Sequence, residues 1–305
     1  MCVRAHALSV VGMRPSLLPG LTAAVVTAAV LVVSPPAFAA DAVYGGTTSR
    51  GGDPIVLKAD SAATTVRKLA VSWDAPCSDG ASFPSRSELT PVKPTAGFSP
   101  GAQELLVSQN AKGRFKGVQL VAYDLGANVA AVQVEIAGKL KPKSASGTLS
   151  AIVKIADKAT GNAVTSCQTG TQRWTAARNP GFIYGGTTSQ GEPVVLRLDQ
   201  PRKRVNDLMF AWRAGCTPSN LFFRFAEHFG NFPVKGSGAF GDSISDDYQL
   251  SDGAGKRNFT YQVAGRVGKP SIKGSLQVKI TDSDPAGAQV DGCDSGTVTW
   301  KASTG

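Results

Sequence analysis

Histidine is almost missing from this chain: there are two in 305 residues, and only His228 lies beyond residue 40. A Ser-His-Asp triad therefore has at most one place to form. The patterns H-E-x-x-H and G-x-x-x-x-G-K, which would announce a zinc protease or a phosphate loop, do not occur. No C-x-x-C exists, which argues against a metal or redox thiol pair. Basic residues form no run beyond "PRKR" (Pro201–Arg204), so a specific nucleic-acid signal is lacking. Past Ala40 no apolar stretch approaches the roughly 20 residues of a spanning helix. No cofactor is expected.

What is there begins with a leader. Arg14 precedes an apolar run, Leu17 to Val33, that closes on Pro35-Pro36 and then Ala37-Phe38-Ala39. A basic residue, a short apolar core and an A-x-A site form the pattern of a secretory signal peptide. Residues 1–40 are read as that segment, cleaved after Ala39 or Ala40, with Met1 or Met13 as the start. An uncleaved anchor is the alternative. The remainder, Asp41–Gly305, loses Arg4 and Arg14 and holds 30 basic against 22 acidic residues. That excess favours anionic partners by long-range attraction, although the charges are spread and also serve solubility.

The exported part repeats itself. "YGGTTSRGGDPIVLKADSAATTVRKLAVSWDAPC" (Tyr44–Cys77) aligns with "YGGTTSQGEPVVLRLDQPRKRVNDLMFAWRAGC" (Tyr184–Cys216) at 16 identical positions of 33, allowing one extra glycine at Gly52. Further matches follow in the same order. "GTL…VKIAD" (Gly147–Asp157) answers "GSLQVKITD" (Gly274–Asp282), and "CQTGTQRWTA" (Cys167–Ala176) answers "CDSGTVTWKA" (Cys293–Ala302). Conserved order at this period implies a duplicated domain, with copies at 41–178 and 181–305 joined by a short Asn-Pro-Gly turn.

Each copy reads as strands. Leu69, Val71, Trp73, Ala75 and Cys77 alternate with Ala70, Ser72, Asp74 and Pro76, and Leu208 to Cys216 repeats the register. Period-two alternation between Gly-, Ser-, Asp- and Pro-rich turns predicts an all-β protein of two tandem antiparallel β-sandwiches, immunoglobulin-like or jelly-roll-like. "YGGTTS" itself reads as a turn that opens each domain. One segment is ambiguous: Leu221, Phe222, Phe225 and Phe229 have helical spacing, whereas Leu221, Phe223 and Phe225 alternate. A short helix after Ser219-Asn220 is the expectation. Phe222, Phe225, His228 and Phe229 are its candidate binding residues, because nine of the thirteen phenylalanines fall in the second copy.

Four cysteines follow the leader, and the repeat selects Cys77–Cys167 and Cys216–Cys293 as bridges, in keeping with an oxidising compartment. Closing loops of this length is worth roughly 4–5 kcal/mol in the chain-entropy model. Trp174 and Trp300 fall on the wrong parity relative to Cys167 and Cys293. Either each cysteine precedes the strand or Gly170 and Gly296 mark bulges, and the tryptophans are core in both cases. Paired carboxylates for glycan hydrolysis would come from Asp246-Asp247 or Asp282/Asp284, both in apparent turns. Asp282, Asp284 and Asp291 also invite a Ca²⁺ reading, against which the incomplete ligand spacing speaks.

The opening "YGGTTSQGEPVVL", the strand ending at Cys216, "GSLQVKI" and "CDSGTVTWKA" together resemble a family of small exported domains common in actinobacteria. Its copies open on Y-x-G-T-T-S-Q-G-x-P-like segments and close on C-x-S-G-T-x-x-W-x-A-like strands. The resemblance implies an exported β-sandwich and carries no catalytic residue onto this chain. The expected function is a secreted, non-enzymatic pair of binding modules for a cell-wall polymer, anionic polymer or glycan. A structural or protein-interaction component and a glycan-active hydrolase are the alternatives.

Overall fold

The computed structural model describes residues 41–50, 52–91, 108–110, 112–178, 182–219, 222–250 and 253–304. The leader with both candidate start sites, the Asn-Pro-Gly joint and Leu221 lie outside them. Among the described residues there is no α-helix, and none is long and apolar enough to cross a membrane. Two antiparallel sheets are folded into two sandwiches.

The first sheet contains β1 (Ala42–Thr48), β2 (Pro54–Ala59), β3 (Val66–Pro76), β4 (Ser82–Leu89), β5 (Ser108–Gln109), β6 (Arg114–Leu125), β7 (Asn128–Leu140), β8 (Ser144–Asp157), β9 (Ala163–Gln168) and β10 (Gln172–Ala177). The second contains β11 (Ile183–Thr188), β12 (Pro193–Leu198), β13 (Arg204–Thr217), β14 (Phe222–Phe229), β15 (Phe232–Pro233), β16 (Ala239–Gln249), β17 (Lys256–Val267), β18 (Ser271–Ser283), β19 (Gln289–Asp294) and β20 (Val298–Ser303). Their orders correspond term by term: β4-β3-β2-β1-β10-β8-β7-β6 and β14-β13-β12-β11-β20-β18-β17-β16. Apart from the last strand returning beside the first, neighbours in the sheet are mostly neighbours in sequence. Short hairpins and period-two side chains are enough to build such a sheet.

Each sandwich buries its own core. Trp73 and Trp174 sit in the first with Tyr44, Leu57, Leu69 and Val134; Trp212 and Trp300 sit in the second with Tyr184, Leu196, Leu208 and Val263. The tryptophan parity resolves simply. Cys167 belongs to β9 and Trp174 to β10, with Gly170 at positive φ between them, so alternation does not carry across. Gly296 breaks the second sandwich in the same way. The disulfides are Cys77–Cys167 and Cys216–Cys293. The second clips β13 to β19, with the two cysteines opposite each other in register.

The hexapeptides are strands rather than turns, and they lie where the sandwiches meet. Tyr44 and Tyr184 point into their own cores, whereas Val43, Val56, Val195 and Met209 form a separate apolar cluster between the sandwiches. At the centre of that cluster the chains approach closely. A Cβ at Gly45 would stand 2.7 Å from Val195 Cγ1, and one at Gly185 would stand 2.8 Å from Val43 Cγ1. The first glycine of each "YGGTTS" is therefore the contact that lets β1 and β11 pack back to back.

Polar contacts frame this apolar centre. Glu192 is 1% exposed and takes a bidentate pair from Arg224, Nε to Oε1 at 3.2 Å and Nη2 to Oε2 at 2.8 Å. Ser72 Oγ of the first sandwich donates to Glu192 Oε2, and Arg224 Nη1 donates to the Trp73 carbonyl. Two loop carbonyls are clamped reciprocally. Arg86 donates to Gly191 O at 2.7 Å, and His228 Nε2 bonds Gly52 O at 2.9 Å. The two sandwiches consequently form one body.

Asp53, which corresponds to Glu192, lies buried beside this network, and burial pushes its carboxyl up to about 6. Arg224 and His228 oppose the shift, and Asp74 and Glu192 add to it. The folded protein holds this proton more tightly than the unfolded chain, so its contribution to stability falls as pH rises from about 4 to about 6. Asp53→Asn should flatten that fall and stabilise the protein at pH 7 by on the order of 2–3 kcal/mol. Thermal melts at pH 4 and pH 7 check it, and identical slopes for both proteins would refute the assignment. Gly185→Ala should cost about 1–3 kcal/mol by overpacking against Val43 and Val56, read as a lowered denaturation midpoint.

Candidate functional site

The expected helix at Ser219–Phe232 is a strand, β14, paired with β13 from Leu208↔Phe229 to Gly215↔Phe222. Helical spacing of three phenylalanines loses here to a ladder of main-chain hydrogen bonds, and the alternation Phe223, Phe225, Glu227, Phe229 decides the facing. β14 is the edge of its sheet, and it has no hydrogen bonds to β16 at the other end. Between these two edges the sandwich is left as an unpaired seam.

The inward-facing side chains along the seam are aromatic and acidic. Phe225 is 39% exposed although it shares the inner face with buried Phe229, and Tyr248 on β16 is 52% exposed. Phe259 of β17 joins them, with ring centroids 5.9 Å from Phe225 and 5.4 Å from Tyr248, both edge-on. Phe223 stacks 5.8 Å from Phe225 and carries Arg257 over its face at 4.5 Å. Arg257 is already committed to Asp282 through Nε and Nη2, so it adds little free positive charge.

Glu227 sits among these rings, its Oε1 accepting from Tyr261 OH at 3.0 Å. Desolvation raises the Glu227 carboxyl above its ordinary range. The Tyr261 bond and nearby His228 oppose the rise, and Asp246 adds to it. The Tyr261 hydroxyl is in turn pushed far up by burial and by Glu227. Asp242, Ile244, Asp246 and Tyr248 alternate along the same face of β16 as buried Phe240. Among the described residues, Glu227, Asp242 and Asp246 form no ion pair.

The first sandwich is built differently at the same places. There Trp73 Nε1 donates to Ser87 Oγ at 3.0 Å, and Ser87 holds the strand position of Glu227. In the second sandwich the corresponding indole, Trp212 Nε1, is buried with no hydrogen-bond partner. Phe83 and Tyr123 match Phe223 and Tyr248, but Val121 stands where Asp246 does.

The residues singled out from sequence are thus divided. Phe225 lines the seam, Phe229 is 7% exposed and part of the core, and His228 faces the other way and bonds Gly52. Only the backbone of Phe222 is described, in β14. Asp246 and Asp247 lie in a strand, not a turn, so as neighbours they point to opposite faces and do not form a catalytic pair; Asp247 accepts from Asn258. Asp282 is taken by Arg257 and Asp291 by Ser219, which removes the basis of the Ca²⁺ reading. The cluster Cys216, Asp291 and Cys293 has ligand-like spacing, but its sulfurs are spent in the disulfide. Glu227, Tyr248, Phe259 and Tyr261 were not anticipated. The alternation of "FTY" and of "SDDY" was the available signal, but it says nothing of which strands become edges.

No known protein family, curated protein or solved structure matches the chain.

The charge coupling at the seam has a direct consequence. Asp246→Asn should bring the Glu227 carboxyl down towards its ordinary range, and Tyr261→Phe should push it further up. Carboxyl-resolved NMR titration reads both. Shifts of the same sign in the two variants would contradict the arrangement.

Proposed function

We propose that this is an exported, non-enzymatic glycan-binding protein of a duplicated β-domain, with the seam of the second sandwich as its binding site. The observation that carries the reading is the pair of exposed inner-face aromatics, Phe225 and Tyr248, flanking Phe259 beside Glu227 and Asp246. Apolar ring faces suit the C–H faces of sugars, and carboxylates accept from their hydroxyls; convergent polar groups in an aromatic cleft are the usual composition of a ligand site. The two disulfides agree with an oxidising, extracellular setting. The resemblance to exported actinobacterial domains points the same way. The non-enzymatic part rests on His228, which is occupied at Gly52 rather than free to act as a base.

A second reading concerns anionic polymers, which three seam carboxylates would repel. A groove between the sandwiches is lined by Lys58, Lys68, Lys301 and the Gly185–Gly186 backbone, although Lys68 is paired with Glu88. An anionic wall polymer would lie there.

Retention on a panel of insoluble polysaccharides and purified cell wall tests the proposal. The native protein should be retained, and Phe225→Ala with Tyr248→Ala should weaken retention about tenfold or more. Retention lost instead in Lys58→Glu with Lys301→Glu would favour the groove. No retention on any matrix would sink both readings, and release of reducing sugar ends would sink the non-enzymatic one.

A further inference from the structure

The seam is acidic in a protein whose overall charge is +10, and this contrast calls for an explanation. Elsewhere the described carboxylates largely find partners. Asp282 has Arg257, Glu192 has Arg224 and Arg213, Glu88 has Lys68, Asp124 has Lys158, and Asp41 has Arg67. Asp60 and Asp157 cap turns through neighbouring threonines. At the seam, among the described residues, Glu227 is bonded by the Tyr261 hydroxyl alone, and Asp246 has neither a hydrogen bond nor an ion pair. Holding like charges together beside apolar rings is unfavourable in the free protein.

Two features converge on what would relieve it, and a third marks how the second sandwich departs from the first here. The Glu227 carboxylate of β14 is held at the Tyr261 hydroxyl, and Asp246 of β16 lies on the same inner face, opposite Phe259 and two residues from the partner of Tyr261. The rings of Phe225, Tyr248 and Phe259 stand around them, and ring faces attract cations as well as apolar surface. The Trp212 indole N–H, wholly buried and unpartnered, lies one register step from Glu227 in the position whose counterpart in the first sandwich is satisfied by a hydroxyl. An N–H donor does not attract a cation. It shows that the second sandwich lacks, at Glu227, the hydroxyl with which Ser87 satisfies the corresponding indole of the first.

We infer that the ligand of this seam carries a protonated amine: a glycan with free amino groups, held by Glu227 and Asp246 and stacked on Phe225 and Tyr248. The inference rests on the glycan-binding reading and narrows its ligand class. Neutral sugars would leave the carboxylates uncompensated, and uronic or phosphorylated sugars would add to the repulsion. An ammonium group neutralises the pair, as in the aromatic cages that recognise cationic nitrogen.

The groups facing Glu227 set the pH behaviour. They are Asp246 from β16 and Tyr261 from β17, with His228 acting from the opposite face of its own strand. The Glu227 carboxyl is held above its ordinary range when the seam is empty, and a bound cation favours its ionised form. Binding should therefore release a proton at mildly acidic pH, and affinity should rise as pH increases from 4 to 6.

The test compares glucosamine oligomers with N-acetylglucosamine oligomers of equal length, by calorimetry on the native protein at pH 4 and pH 6. The expected result is a preference for the free-amine oligomer of about tenfold or more at pH 6, weakened at pH 4 and by added salt. The isosteric variant Glu227→Gln with Asp246→Asn should lose the preference, with folding checked by its thermal melt. Phe225→Ala should weaken both oligomers alike. Equal or tighter binding of the acetylated oligomer, or a preference that survives the double variant, overturns the inference and leaves the glycan reading standing. Binding of neither oligomer overturns the amine inference, and the polysaccharide panel then decides separately whether any glycan is bound.

Discussion

A single buried carboxylate organises the way the halves of this protein meet. Glu192 is nearly inaccessible to water, and its charge is tolerable only because Arg224 grips both oxygens and Ser72 adds a donor from the other sandwich. A buried ion pair of this kind contributes little net stability compared with a well-packed apolar substitute, but losing one partner is expensive, on the order of 3–5 kcal/mol. Its effect is specification. Arg224 satisfies Glu192 within its own sandwich and reaches the Trp73 carbonyl in the other, so only one relative placement satisfies every group. The apolar cluster of Val43, Val56, Val195 and Met209 supplies adhesion, and the charge network supplies register.

The seam depends on that placement indirectly. β14 has two faces with two tasks. Arg224, Ala226 and His228 face the first sandwich, and Phe223, Phe225, Glu227 and Phe229 face the second core. An edge strand anchored on its back leaves its inner face open towards β16 without collapsing across the gap. If the two halves arose by duplication, they have diverged at this place: Ser87 and Val121 make one seam quiet, and Glu227 and Asp246 make the other charged.

Much of the fold was legible because its code is local. Alternation in Leu69–Cys77 and its echo Leu208–Cys216 states which side chains are inside, and the repeat selects the cysteine pairs without any geometry. β14 was misread because burial does not alternate along it: Arg224 is buried against the first sandwich while Phe225 on the inner face is exposed. The polar–apolar contrast that marks a half-exposed strand is blurred there, and Phe222, Phe225 and Phe229 fall at intervals a helix also allows. "YGGTTS" looked like a turn because adjacent glycines so often are. That its first glycine serves a close approach between strands distant in sequence is a tertiary fact. The seam was hidden for the same reason: nothing in "SDDY" or "FTY" says that β16 will end its sheet opposite β14.

The segment "FFRFAEHF" has a further property as an unpaired strand edge. Long edges rich in aromatic residues are templates for pairing with other chains, and soluble proteins usually blunt them with charges, bulges or cover. Here the back of the strand is covered from within the chain: Arg224 and His228 fasten it to Trp73 and Gly52 of the first sandwich. Whatever loosens the two sandwiches therefore uncovers the back of an aromatic strand whose edge is already unpaired. For this molecule, separating the sandwiches and exposing both sides of that strand are the same event, and the buried glutamate that keeps the sandwiches in register also keeps the strand backed.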